Sequence, residues 1–180
     1  MQSSLTFRDL GQSPIEAIKS CVTSELIPWK ALQNPYSRRL TLPLLWSPAE
    51  YIGGKIKRME IDQAKSLRDL TDLVLKDLAN YVPGIPVRIF YAKLLPGDSI
   101  STHIDAGSIF KVSHRCHLPI VAPDGIRFFC SRDTYSPTEG KWFEINNCLP
   151  HSVINNASEE RIHLIVDILA VTYKHLLEVC

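Results

Sequence analysis

A mainly β fold, with its helices gathered in the N-terminal half, is what this sequence predicts. Three observations predict it. The clearest helical periodicity is over by Asn80. From Val87 to Leu169 the chain breaks into many short apolar or alternating stretches divided by turn residues. Helical patterns precede the strands instead of alternating with them, so a sandwich, barrel or jelly roll buttressed by helices fits better than a parallel sheet.

The elements follow in order. Ser13-Pro14-Ile15-Glu16 opens the first helix: serine suits the N-cap, proline the first helical position, and glutamate three residues after the cap completes a capping box. This helix is expected to reach about Ser24, with Pro28 beyond its end. Asn34-Pro35-Tyr36 reads as a turn. Leu40 to Trp46 is an apolar extended stretch whose Pro43 favours a sheet edge, and Gly53-Gly54 is another break. Asp62 to Asn80 is the strongest helix. Leu67, Leu70, Val74 and Leu78 share one face, while Lys65, Asp69, Asp72 and Lys76 share the other as solvated charge. Asp72 and Lys76 stand in the favourable acid-first order.

Past Pro83-Gly84 come the strands. Val87 to Leu94 leads into Leu95-Pro96-Gly97-Asp98, a type II turn by its central Pro-Gly. Ser99 to Asp105 follows, then a break of small residues at Ala106-Gly107-Ser108. Arg115 to Val121 and Ile126 to Cys130 flank Pro123-Asp124-Gly125 as a hairpin. Lys141 to Ile145, His151 to Ile154 and Arg161 to Leu169 complete the set, and Val171 to Cys180 reads as a short helix. One domain over 1–180 is expected, with 1–85 as helical and edge-strand support and 86–170 as the jelly-roll core carrying the site.

Bulk properties narrow the function. A net charge of +1, with lysine and arginine spread along the chain, argues against a nucleic-acid binder. No apolar run approaches the roughly 18 residues of a membrane span, and no signal peptide is visible. Five cysteines, odd in number and without a C-x-x-C pair, speak against a disulfide framework or structural zinc and for free thiols in the cytoplasm. The oligomeric state is left open.

Chemistry concentrates around Ser101-Thr102-His103-Ile104-Asp105. In an extended segment positions i and i+2 share a face, so His103 and Asp105 project together and can hold one cation. His151 lies 46 residues beyond Asp105, and Arg161 ten beyond that. Two histidines and a carboxylate are the set expected at a non-haem Fe(II) centre with positions open for substrate and O₂. Arg115 and His117 form a second same-face pair, and Arg161, His163, Ile165 and Asp167 a third row. Rolled together, these faces converge on an interior where polar groups need a metal or ligand to satisfy them. His163 reads either as a group beside the site or as a satisfied structural histidine. His114, Arg127 and Arg132 read as surface groups, and Trp46 and Trp142 as core or rim aromatics. Neither Cys116 nor Cys148 has a base beside it to make it a nucleophile.

From about Phe90 to Asp167 the chain resembles the aspartyl/asparaginyl β-hydroxylase-like family of Fe(II)/2-oxoglutarate dioxygenases, to which bacterial cis-proline hydroxylases are also similar. The resemblance rests on Lys93-Leu94-Leu95-Pro96-Gly97, His103-Ile104-Asp105, Arg115-Cys116-His117-Leu118, Glu139-Gly140-Lys141 before His151, and Arg161 through Val166-Asp167. It implies a double-stranded β-helix with iron on His103, Asp105 and His151. It also implies 2-oxoglutarate gripped by Arg161, Arg115 and His117 assisting on its other oxygens, and O₂ as oxidant. Two departures stand out. Animal aspartyl hydroxylases of the family lack the acidic ligand that Asp105 supplies. Asn146-Asn147 stands where relatives often carry aspartates, which bears on the hydrogen bonds behind the ligands. The expected activity is hydroxylation of an aspartyl or asparaginyl residue in a peptide, or of a small amino acid such as proline, with release of succinate and CO₂. The alternatives are a non-catalytic cupin-like metal-binding or sensory module and a zinc hydrolase, which leaves Arg161 and Arg115 without a role.

Overall fold

The computed structural model describes residues 5–24, 27–31, 39–61 and 65–178. The N-terminal part supplies β1 (Phe7–Gln12), α1 (Glu16–Val22), β2 (Lys30–Ala31), β3 (Leu40–Trp46), β4 (Met59–Glu60) and α2 (Lys65–Ala79). Then come β5 (Gly84–Leu94), β6 (Ser99–His103), β7 (Ser113–Val121) and β8 (Ile126–Cys130). β9 (Asp133–Tyr135), β10 (Lys141–Ile145), β11 (His151–Asn155) and β12 (Arg161–Ala170) complete the strands. A 3-10 helix at Ser108–Lys111 follows β6, and a second at Val171–Leu176 replaces the tail helix expected from sequence. The expected turn at Asn34-Pro35-Tyr36 and the expected helix start at Asp62 lie outside the described residues. Among the described residues no helix is long and apolar enough to cross a membrane.

Two antiparallel sheets face each other. The larger runs β1-β10-β7-β12-β5-β3-β2, with β4 on the outer edge of β3, and the smaller runs β6-β11-β8-β9. From β5 onward the chain passes between the sheets at every connection except β8 to β9. That alternation is a double-stranded β-helix. It also corrects the expected hairpin around Pro123-Asp124-Gly125. The turn itself is present, with the Ile126 N–H donating to the Pro123 carbonyl at 3.3 Å. Both edges of β7, however, are already paired with β10 and β12, so the chain leaves that sheet and β8 joins β11.

The outer face of the larger sheet packs against the helices. Ile162, Leu164, Val166 and Ile168 on β12 are at most 3% exposed and join Ile18, Val22, Leu67, Val74 and Leu78 in one core. Each such side chain contributes roughly 1.5–3 kcal/mol. The intervening residues of β12 turn inward, where Leu94, Phe128, Phe143 and Val153 fill the space between sheets. Pro43 falls in β3 between the short stretches paired to β2 and to β4, where its missing N–H leaves no ladder bond unmade.

The capping box at Ser13 is not formed. α1 starts at Glu16 after Ile15, without a side-chain cap. The buried Ser13 hydroxyl instead donates to Asp77 Oδ2 at 2.7 Å and accepts the Trp142 indole N–H at 3.0 Å. A carboxylate is the stronger acceptor, and the indole N–H is fully buried, so tertiary partners outcompete the local cap. Glu16 still folds back, its Oε2 accepting the Ile15 N–H at 3.1 Å.

Candidate metal centre

His103 and His151 are cross-strand partners on β6 and β11, with ring centroids 4.3 Å apart. His103 Nδ1 lies 2.8 Å from the Ser101 carbonyl, and His151 Nδ1 lies 2.9 Å from that of Leu149. A carbonyl accepts only from N–H, so each ring carries its proton on Nδ1 and presents the Nε2 lone pair.

Asp105 arrives differently from the sequence expectation. β6 ends at His103, and the backbone N–H of Asp105 donates to the Asn147 carbonyl at 3.1 Å. A loop tied to the turn before His151, not strand parity, carries the carboxylate to the two imidazoles. Its Oδ1 is 3.7 Å from His103 Nε2 and its Oδ2 is 4.0 Å from His151 Nε2. One ligand atom from each residue lies within 4.8 Å of the others. Burial by itself would raise the Asp105 carboxyl. Arg115, with His151, the Asn147 amide and His103, outweighs burial and holds the group below the usual carboxylate value.

Arg115 is engaged with carboxylates. Its Nε and Nη2 fork onto Asp167 Oδ1 and Oδ2, both at 2.8 Å, and its Nη1 donates to Asp105 Oδ2. Burial opposes the charge, but Asp105 and Asp167 more than restore it, and the pKa is raised.

His103, His151 and Arg161 line a single pocket, walled by Ile100, Phe128 and Val153 among others. Arg161 is 1% exposed, its guanidinium lies 5.0 Å over the Phe128 ring, and its Nε and Nη1 are buried without a hydrogen-bond partner. Burial first, then the charge of Arg39, pulls its pKa down to about 9. It therefore remains a cation at neutral pH, with unmet donors that suit an anion. His117 lines the same pocket, stacks on Phe143 at 5.0 Å and meets His163 Nδ1 to Nδ1 at 3.5 Å. Burial, then Arg161, holds both rings well below the ordinary histidine value, so both are neutral.

Sequence reasoning missed Arg39, Asn147 and Asp167. Arg39 lines the pocket from the approach to β3, far upstream of every motif. In the sequence Asn147 is a departure from the family pattern and Asp167 the end of a shared face and motif; neither can be paired with Asp105 or Arg115 without the fold. The remaining candidates have other surroundings. His114 Nδ1 pairs with Glu144 at 2.6 Å, and Arg127 is exposed, its Nη1 donating to the Ile126 carbonyl. Arg132 is exposed. Trp142 is fully buried, and Trp46 stacks edge-on against Phe90 at 5.7 Å and carries the Arg88 guanidinium at 4.5 Å. Cys21, Cys116, Cys130 and Cys148 are free thiols.

Comparison with known proteins agrees with this architecture. The chain is similar in structure to a prolyl hydroxylase from Trichoplax adhaerens, solved with a hypoxia inducible factor peptide. That match has 9% identity, 98% of this chain and 89% of that one covered, and a TM-score of 0.62. A 2OG-Fe(II) oxygenase family oxidoreductase from Burkholderia pseudomallei matches at 14% identity, 86% and 78% coverage and a TM-score of 0.61. A Pseudomonas putida prolyl-4-hydroxylase matches at 13% identity, 93% and 94% coverage and a TM-score of 0.58. At these identities the likeness establishes the fold. A search of curated protein sequences returned no significant match. The family model for aspartyl/asparaginyl beta-hydroxylase matches residues 62–170, more than half of the chain. The chain belongs to the aspartyl/asparaginyl beta-hydroxylase family.

Proposed function

We propose that the protein is an Fe(II)- and 2-oxoglutarate-dependent dioxygenase. Its substrate is an aspartyl or asparaginyl residue of a peptide, or a small amino acid such as proline. One observation carries the reading: two histidine ligands with their carboxylate partner, and a buried arginine with unmet donors, meet at one pocket. The donor set fits iron, since two imidazoles with free Nε2 and one ionised carboxylate are the ligands of a non-haem Fe(II) centre with open positions. Arg161 fits a carboxylate of the co-substrate, because a planar guanidinium can meet both oxygens at once. The named activities of the similar structures support the same chemistry.

When bound, Fe(II) with 2-oxoglutarate and O₂ supplies the oxidising power that turns a substrate C–H into C–OH, with succinate and CO₂ as the other products. His103, Asp105 and His151 hold the metal, and Arg161 sets the direction in which 2-oxoglutarate lies. Ile100, Phe128, Val153 and Ile165 exclude water from the inner wall. The His103 side chain is 30% exposed and Ile104 is 53% exposed, which makes this rim the side from which substrate enters. We assign the protein to the cytoplasm from its cysteine usage.

Succinate release from 2-oxoglutarate, measured with Fe(II) and a panel of aspartyl peptides, asparaginyl peptides and free amino acids, tests the proposal. A substrate-stimulated release with a matching gain of one oxygen atom in the substrate is the expected result. Metal uptake with no binding of 2-oxoglutarate and no succinate would favour the non-catalytic sensory module instead.

A further inference from the structure

We infer that Asn147 and Asp167 are positioning residues, which commit one oxygen of Asp105 to the protein so that the other is offered to the metal. The inference rests on the metal reading of His103, Asp105 and His151. Asp105 lies beyond the end of β6, between the exposed residues Ile104 and Ala106, so no strand ladder fixes its side chain. Two protein donors converge on Oδ2 instead: the Asn147 amide at 3.1 Å and Arg115 Nη1. Oδ1 faces His103 Nε2 at 3.7 Å, with no protein donor on it among the described residues, while Oδ2 stands 4.0 Å from His151 Nε2.

Each donor is itself held. Asn147 is fully buried, and its carbonyl accepts the Asp105 backbone N–H at 3.1 Å, so one residue fixes both backbone and side chain of the ligand. An amide does this without repulsion, because it offers N–H to a carboxylate where an acid would bring a second negative charge. Arg115 is aimed by Asp167, which is 0% exposed and takes Nε and Nη2 in a fork at 2.8 Å, and its guanidinium lies 4.9 Å over Phe110. A buried Arg–Asp pair contributes little net stability over apolar side chains of the same volume. Here the pair points the remaining nitrogen at a metal ligand. With Oδ2 engaged, Oδ1 would be the Asp105 atom offered to a bound metal alongside the two imidazoles.

The test is a Co(II) titration of the full chain without 2-oxoglutarate, followed by visible absorption, on wild type, Asp167→Asn and Asn147→Ala. Melting and circular dichroism of each metal-free protein are recorded alongside. Each variant is expected to fold and to lose about 10–100-fold in Co(II) affinity. A purely structural role would lower the melting temperature and leave the affinity of the folded protein unchanged. Affinities within about twofold of wild type in folded variants overturn the inference. Should Asp167→Asn fail to fold, Asn147→Ala decides it. A wild-type protein that takes up no Co(II) overturns the metal reading itself, and this inference with it.

Discussion

Arg161 is the residue at which binding and stability pull apart. A buried cation with unmet Nε and Nη1 donors destabilises the protein, and in the proposed site 2-oxoglutarate supplies the acceptors. Leaving a buried donor unsatisfied costs about 1–3 kcal/mol. Arg161→Met is therefore expected to stabilise the co-substrate-free protein by about 1–3 kcal/mol in urea unfolding, while 2-oxoglutarate binding is lost. A destabilised variant with normal binding would remove Arg161 from the site. His103→Ala and Asp105→Ala, in contrast, should abolish both succinate release and the rise in melting temperature on adding metal, and leave the metal-free fold intact. That His103, Asp105 and His151 meet was legible in their residue types and spacing, whereas Arg161 was singled out by the family resemblance. The cradle behind Asp105 was not, since Asn147 stands 42 positions further along and Asp167 meets Arg115 across 52. Such partners become visible only when the strands are paired.

At the scale of elements, the loop after β6 is what brings Asp105 to the histidines. Gly107, two residues later, has φ +134°, and a Cβ there would sit 2.6 Å from the Ala49 carbonyl. The neighbouring Ser108 hydroxyl donates to Glu50 at 2.6 Å, so the loop is pinned to the segment after β3. Gly107→Ala is expected to lower stability by about 1–3 kcal/mol and to weaken metal binding as Asp105 shifts, read by unfolding and Co(II) titration on the same sample. Unchanged metal affinity would show that the contacts of Asp105 itself, and not this glycine, set the position of the carboxylate. β5, β8, β10, β11 and β12 could be read from apolar runs between turn residues. β1 could not, because half-buried FRDLGQ becomes a strand only by pairing with β10, whose residues lie 129 to 138 positions away. The Pro123-Asp124-Gly125 turn was legible as a turn, but its partner strand depends on which edges are already filled.

Across the whole molecule, the two sheets enclose a pocket that is charged at one wall and neutral at another. His117 and His163 are buried there with pKa values far below the ordinary one. Below about pH 6.5 the unfolded chain takes up protons at these histidines and the folded chain does not, so stability falls as pH falls. Metal-free His163→Phe, whose ring can stack on Phe128 as the imidazole does at 5.5 Å, should lose stability less steeply between about pH 5 and 6.5. Equal slopes would mean that His163 titrates normally. The claim on which the rest depends is that one pocket binds Fe(II) on His103, Asp105 and His151 and 2-oxoglutarate on Arg161. Anaerobic titration of the Fe(II)-loaded protein with 2-oxoglutarate, followed in visible light, tests it most directly. A saturable charge-transfer band in wild type that requires far more 2-oxoglutarate in Arg161→Ala is the predicted result. No band in wild type, or the same titration in both proteins, would contradict it.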